Sequence, residues 1–304
     1  MLEMIGLRKR YDGTVALDDC SFRVERGRVL GFLGRNGAGK TTAMRSIFGL
    51  VLLDGGEMRW EARPIDRAAR SRFGYMPEER GLYPRMTVDG QLRFFGQLRG
   101  LNAAEAAAAS EHWIERLDLI ERRESTVDTL SHGNQQKVQL GVSLIGDPEL
   151  LVLDEPFSGL DPIAVETLAS VIQEVADRGT AVVFSSHQLE LVGDVCDDIA
   201  IITDGRVVLN GDLEEIRRHS PIRMLELSLE APSDGDWAGR LAGELPQSRV
   251  EASNGDHARL TVDSTTRPAD ILLALGELAP RIVEFRLEPP DLEHVFRQAV
   301  GEPV

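Results

Sequence analysis

Gly34-Arg35-Asn36-Gly37-Ala38-Gly39-Lys40-Thr41 is a glycine-rich loop ending in a cation and a hydroxyl, the spacing of a Walker A phosphate loop. Glycines let successive backbone N–H groups close around a polyphosphate, and the positive end of a following helix adds to the attraction. Lys40 then reaches the β- and γ-phosphates of a nucleotide such as ATP, and Thr41 offers its hydroxyl to Mg2+. Gly34, Asn36, Gly37, Gly39 and Thr42 complete the expected nucleotide contacts of this loop. A second candidate pair, Asp154-Glu155, closes the apolar run Leu150-Leu151-Val152-Leu153. Asp154 suits the water shell of Mg2+, which leaves Glu155 to polarise a water aimed at the γ-phosphate. Hydrolysis needs that second carboxylate, whereas a simple nucleotide binder does not. The plainer alternative is two acids that only solvate a strand end.

Such a loop works only between a buried strand and a helix, and the apolar pattern predicts a strand over 29–33 and a helix over 41–49. Further strands are expected over 2–6, 20–24, 57–60 and 72–76. An Ala- and charge-rich helical block follows over 87–98 and 103–117, in which the alanine run 106–109 is simply good helix former. From Asn134 the order is helix, strand 150–154, helix 162–177, strand 180–185, helix, strand 199–203, the alternation of a parallel sheet covered by helices. A return strand over 207–209 and a short helix ending near Arg218 lead to His219-Ser220-Pro221, a boundary signal. Beyond it the order is β-α-β-β-α-β with a last helix over 291–300, a small α+β domain of ferredoxin-like type with no catalytic grouping.

Leu130-Ser131-His132-Gly133-Asn134-Gln135-Gln136 would on its own read as a helix cap. Together with the two motifs above it resembles the signature sequence of ABC ATPases, and the chain over about 1–218 is similar to that family in several motifs of the right order. The resemblance implies a P-loop NTPase of ABC type, with a parallel-sheet core, an antiparallel β subdomain and a helical subdomain over about 86–146. The domains are then 1–219, a nucleotide-binding ATPase, and 220–304, an accessory domain. By resemblance, Ser131 and Gly133 touch the γ-phosphate bound by a second copy, Asp161 in Ser158-Gly159-Leu160-Asp161 faces that copy, and His187 bonds the γ-phosphate as a catalytic partner of Glu155 and Lys40. Tyr11 resembles the aromatic that stacks on adenine. Glu78, in Gly74-Tyr75-Met76-Pro77-Glu78-Glu79-Arg80, stands where the family usually has a glutamine that ligates Mg2+. His132 and Asn134 replace the usual glycine and glutamine. These variants and the extra domain resemble the ATP-binding subunits of two-component exporters of the sodium-efflux and drug-resistance types.

The implied partners are a second copy or a related ATPase subunit and a separately encoded, polytopic transmembrane permease. Charge supports this over nucleic acid, because Asp and Glu number 50 against 34 Lys and Arg, a formal net charge of -16. No apolar run approaches the roughly 20 residues that span a bilayer, so attachment to the inner face of the membrane is expected through the permease, with the chain itself cytoplasmic. The two cysteines, Cys20 and Cys196, fit reduced core thiols. A soluble ABC ATPase working on ribosomes or DNA is the main alternative, and a P-loop kinase a third, which leaves Ser131, Glu155 and His187 unexplained.

Overall fold

The computed structural model describes residues 1–79, 81–230 and 236–301. Its contacts divide the chain into two compact units, Met1–Asp212 and Leu213–Val304. In the first, β1 (Leu2–Tyr11) and β2 (Thr14–Val24) form a hairpin turned at Asp12-Gly13, with φ of 38° and 91°. Two successive positive φ values suit the right-handed twist of the strands and favour an Asp-Gly pair. The hairpin runs well past the short strands expected at 2–6 and 20–24, because charged residues such as Arg8, Arg10 and Asp18 interrupt the apolar alternation there.

β3 (Val29–Leu33) is buried along its whole length and feeds α1 (Lys40–Ile47). After β4 (Gly55–Trp60), β5 (Arg63–Pro64) and the short α2 (Arg67–Arg70), β6 (Phe73–Met76) returns to the core. Then come the helices α3 (Val88–Leu98), α4 (Ala103–Arg116) and α5 (His132–Leu144). At α4, Asn102 accepts from the backbone of Glu105 while Glu105 accepts from that of Asn102, a reciprocal cap that starts the alanine-rich helix. β7 (Leu150–Leu153), α6 (Pro162–Asp177), β8 (Ala181–Ser186), α7 (Leu189–Val195), β9 (Asp198–Thr203) and β10 (Arg206–Asp212) complete the unit.

The strands form a four-stranded antiparallel sheet, β2-β1-β4-β5, and a six-stranded sheet, β10-β9-β3-β8-β7-β6, parallel except at β10. Apolar side chains from both, including Phe22 and Phe32 with ring centroids 4.7 Å apart, share one core with α1. Cys20 lies in it, and burial pushes its thiol up to about 12. Burial raises Cys196 in the same direction, as expected of unreactive thiols.

The second unit takes in α8 (Leu213–Arg218), which the sequence reading assigns to the first domain but which packs with the C-terminal helix. β11 (Ile222–Leu229), α9 (Trp237–Glu244), β12 (Arg249–Ser253), β13 (His257–Asp263), α10 (Pro268–Leu275), β14 (Ile282–Glu288) and α11 (Leu292–Ala299) follow. The sheet is antiparallel throughout in the order β12-β13-β11-β14. Alternate residues Leu225, Leu227 and Leu229 enter a core with Trp237, Leu241 and Ile271. Among the described residues no helix is long and apolar enough to cross a membrane.

Candidate functional site

Parallel strands open their carboxyl ends on one edge, where ligands of open α/β sheets bind. Here the neighbouring strands β3, β8, β7 and β6 are followed by the loop carrying Lys40, by His187, by Asp154-Glu155 and by Glu78. Residues far apart in sequence therefore meet around a depression of about 310 Å³, lined by Ala16, Arg35, Asn36, Gly37, Gly39, Lys40, Thr41, Thr42, Glu78, Glu155 and His187.

The glycine loop has its shape for steric reasons. Gly37 and Gly39 have φ of 82° and 110°, and a Cβ on Gly39 would stand 2.3 Å from the Ala16 carbonyl oxygen. Lys40, only 6% exposed, donates from Nζ to the Gly34 carbonyl at 2.6 Å and lies 3.7 Å from Glu155 Oε1. At an effective dielectric of about 20 such a pair attracts by about 4 kcal/mol before desolvation, enough to hold the ammonium beside the carboxylate. His187 donates from Nδ1 to Glu155 Oε2 at 2.8 Å, so both oxygens of Glu155 face cationic or donor groups. Glu155 itself has φ 52°, a left-handed conformation uncommon outside glycine and a form of strain that gathers at functional sites.

Ser185 was not among the residues expected at the site, yet its hydroxyl joins the acid pair. It donates to Asp154 Oδ1 at 2.7 Å and accepts from the Glu155 backbone N–H at 2.9 Å. Its signal in the sequence is slight, a serine ending an apolar strand before His187. Thr41 also donates to Asp154 Oδ1, at 3.4 Å, while the fully buried Oδ2 has no protein partner. A buried carboxylate oxygen without a donor, beside a threonine hydroxyl, suits the hard, hydrated cation Mg2+.

Six expected site residues lie outside this lining: Gly34 and Asp154, which bond Lys40 and Thr41 at its edge, and four others. Tyr11 is 42% exposed, with the Lys9 ammonium 5.1 Å from its ring centroid. Ser131 caps α5 by accepting from the Asn134 N–H at 3.3 Å, and Gly133 sits in the first turn of that helix. Asp161 caps α6 by accepting from the Ala164 N–H at 2.9 Å. Glu78 does line the depression, and Arg80, beside it in sequence, is outside the described residues. Two side chains of α5, absent from the expected site residues, also bear on the site. Gln136 donates to the Pro156 carbonyl at 3.1 Å and Gln139 to the Pro77 carbonyl at 2.6 Å, which ties the backbone flanking Glu155 and Glu78 to one helix. The sequence sign was slight, a pair of glutamines three apart in a helix that otherwise mixes polar and apolar residues.

The family described as ABC transporter matches residues 17–158. The chain is 34% identical to an uncharacterized ABC transporter ATP-binding protein of Bacillus subtilis, YhaQ, over 99% of each chain. It is 31% identical to the daunorubicin resistance ATP-binding protein DrrA3 of Streptomyces coeruleorubidus, over 98% of this chain and 95% of that one. A solved structure of an ATP binding subunit of an ABC transporter aligns with a TM-score of 0.66 at 32% identity, covering 72% of this chain and 92% of the other. The chain therefore belongs to the ABC transporter ATP-binding proteins, whose ATPase domain binds and hydrolyses ATP to power transport.

Proposed function

We propose that this protein dimerises around two MgATP and drives a separate transmembrane permease, in the direction of export. The observation that carries the reading is the convergence of Lys40, Glu155 and His187 on one depression, beside an Asp154 oxygen without a protein partner. The loop of Gly34, Asn36, Gly37, Gly39, Thr41 and Thr42 holds the phosphates, with Lys40 on the β- and γ-phosphates. Thr41, Glu78 and, through water, Asp154 hold Mg2+, which when bound neutralises phosphate charge. Glu155 orients and deprotonates the attacking water, and His187 both fixes Glu155 and meets the γ-phosphate. Tyr11 stacks on the adenine. Ser131, Gly133 and Asp161, which stand outside the depression on helix N-termini, serve the nucleotide of the second copy in a two-fold dimer.

Within Met1–Asp212, the helices over about 86–146 form the helical subdomain, and the antiparallel unit that follows is a ferredoxin-like accessory domain, a reading supported by its strand order. Relatives named Nod factor export ATP-binding protein I, 33–35% identical to this chain, support export. The chain would then reach the membrane's inner face through its permease.

Glu155→Gln keeps the side-chain shape but removes the base. It should bind MgATP while turnover falls by roughly 10²- to 10⁴-fold, the usual worth of a general base. The nucleotide-bound dimer should then accumulate in size-exclusion chromatography. A variant that releases phosphate within a few-fold of the parent would remove Glu155 from the role of base.

A further inference from the structure

His132 occupies the first turn of α5, immediately after the cap Ser131, and its Nε2 lies 2.9 Å from the carbonyl oxygen of Ser158. The ring also lies close over Gly159. That residue has φ 69°, and a Cβ there would stand 3.2 Å from His132 Nε2 and 3.5 Å from Cδ2. One turn further along the same face of α5, Gln136 donates to the carbonyl of Pro156. The loop between Glu155 and the cap Asp161 is thus held twice by one helix, at its start by a buried glutamine and at its turn by an exposed histidine. The apolar side of the contact is at Gly133, where an added Cβ would lie 3.7 Å from both Leu160 Cδ2 and Ala164 Cβ.

We infer that His132 is a positioning residue: by donating to the Ser158 carbonyl across Gly159 it makes the N-terminus of α5 and the loop ending at Asp161 a single presenting surface for the second copy of this chain. This rests on the proposed dimer. A backbone carbonyl in an exposed loop otherwise bonds water, which leaves the loop free to sample other conformations. The hydrogen bond removes that freedom without touching nucleotide, so His132 acts on how Ser131 and Asp161 meet a partner. It does not act on the phosphate loop of its own chain, whose contacts come from other residues. Gly159 belongs to the same device, because a larger residue would displace the ring as well as strain the backbone.

The experiment compares His132→Ala and His132→Gln in the full chain. Glutamine places an N–H donor at a similar reach, and His132 is exposed, so both variants should fold. In the nucleotide-free protein, amide hydrogen exchange over 157–160 should be faster in His132→Ala and restored in His132→Gln. In a Glu155→Gln background, the MgATP concentration that half-saturates dimer formation should rise roughly three- to tenfold with alanine, the range of one hydrogen bond, and return with glutamine. Nucleotide affinity of the monomer should stay unchanged. Equal exchange in parent and alanine variant would overturn the link, as would alanine-like behaviour of a folded glutamine variant. Faster exchange with unchanged dimerisation would overturn its role in presentation. If Glu155→Gln with His132 intact never dimerises, the dimer reading itself falls, and the exchange data still decide whether His132 holds the loop.

Discussion

Lys40, Glu155, His187 and Glu78 follow four neighbouring strands of a parallel sheet, and all reach one depression. In the second unit, charged residues come from four antiparallel strands, yet they pair with one another. Arg259 of β13 bonds Asp291 and lies 3.6 Å from Glu226 of β11, which also faces Arg286 of β14 at 3.9 Å. His294 of α11 donates to Asp291 at 2.7 Å, with Glu251 of β12 lying 3.9 Å from its other nitrogen. Strands that run the same way deliver their following loops to one edge, so Lys40, Glu155 and His187, though paired with one another, still line a depression that a ligand can enter. Antiparallel strands send successive loops to opposite edges, so the charges that meet do so on the sheet face, where they are spent in fastening a helix. The buried orphan atoms of this second cluster, His294 Nε2, Glu251 Oε1 and Arg259 Nε, suit a bridging water, which is how proteins commonly satisfy such groups.

The contrast would break most visibly at Ser185. Ser185→Ala leaves Asp154 Oδ1 and the Glu155 N–H without the hydroxyl that bonds both, at about 1–3 kcal/mol for each buried group. Turnover should fall roughly ten- to a hundredfold, with protection of the α11 amides unchanged. Phosphate release and amide exchange read the two units separately, and an unaltered rate would show that the strand ends hold the acid pair without this hydroxyl.

A smaller effect is expected at Glu78, where the lining carboxylate repels a triphosphate until a cation arrives. Two unit charges about 4 Å apart interact by about 4 kcal/mol at an effective dielectric of about 20, and solvent around this exposed side chain reduces that further. Glu78→Gln should therefore bind ATP several-fold more tightly than the parent in EDTA, and depend less steeply on Mg2+. Equal metal dependence of the two proteins would mean that Glu78 does not face the phosphates.

The smallest effect belongs to the closed network. The hydrogen bond from His294 holds the Asp291 carboxyl well below the usual carboxylate range, and Asp291 also caps α11 through the His294 N–H. A carboxyl depressed in the folded state contributes stability above its unfolded value of about 3.9, lost as pH falls through the folded value. Asp291→Asn should cost about 1 kcal/mol at neutral pH while leaving ATP turnover alone. The difference from the parent should narrow below about pH 4, which urea denaturation across that range would measure. A change in turnover would show that this network reaches the nucleotide chemistry.

The sequence carried the local pattern well where one residue type answers one demand. Val29–Leu33 and Pro162–Asp177 form where apolar runs and a capping Asp161 place them, and the glycines of 34–39 announce a backbone that only glycine tolerates. Lys40, Thr41, Asp154, Glu155 and His187 stood out as candidates because each lies at the end of a buried strand or the start of a helix in a recognisable order. The boundary stood out less. The units divide where β10 runs straight into α8, from Asp212 to Leu213 with no loop between them, whereas His219-Ser220-Pro221 lies within the second unit.

What tertiary structure alone decided is which atoms meet. Strand order β3-β8-β7-β6 differs from chain order, so no spacing along the chain places Ser185 against Asp154 or His187 against Glu155. The same holds for the donors of α5, since Gln136, Gln139 and His132 take their meaning from carbonyls at Pro156, Pro77 and Ser158 that only the packed sheet brings to them. Local sequence determines elements through short-range sterics and periodic burial, and it determined the candidate chemistry of this protein through residue type. Partnership between distant residues depends on how those elements pack, a choice made by the whole core at once.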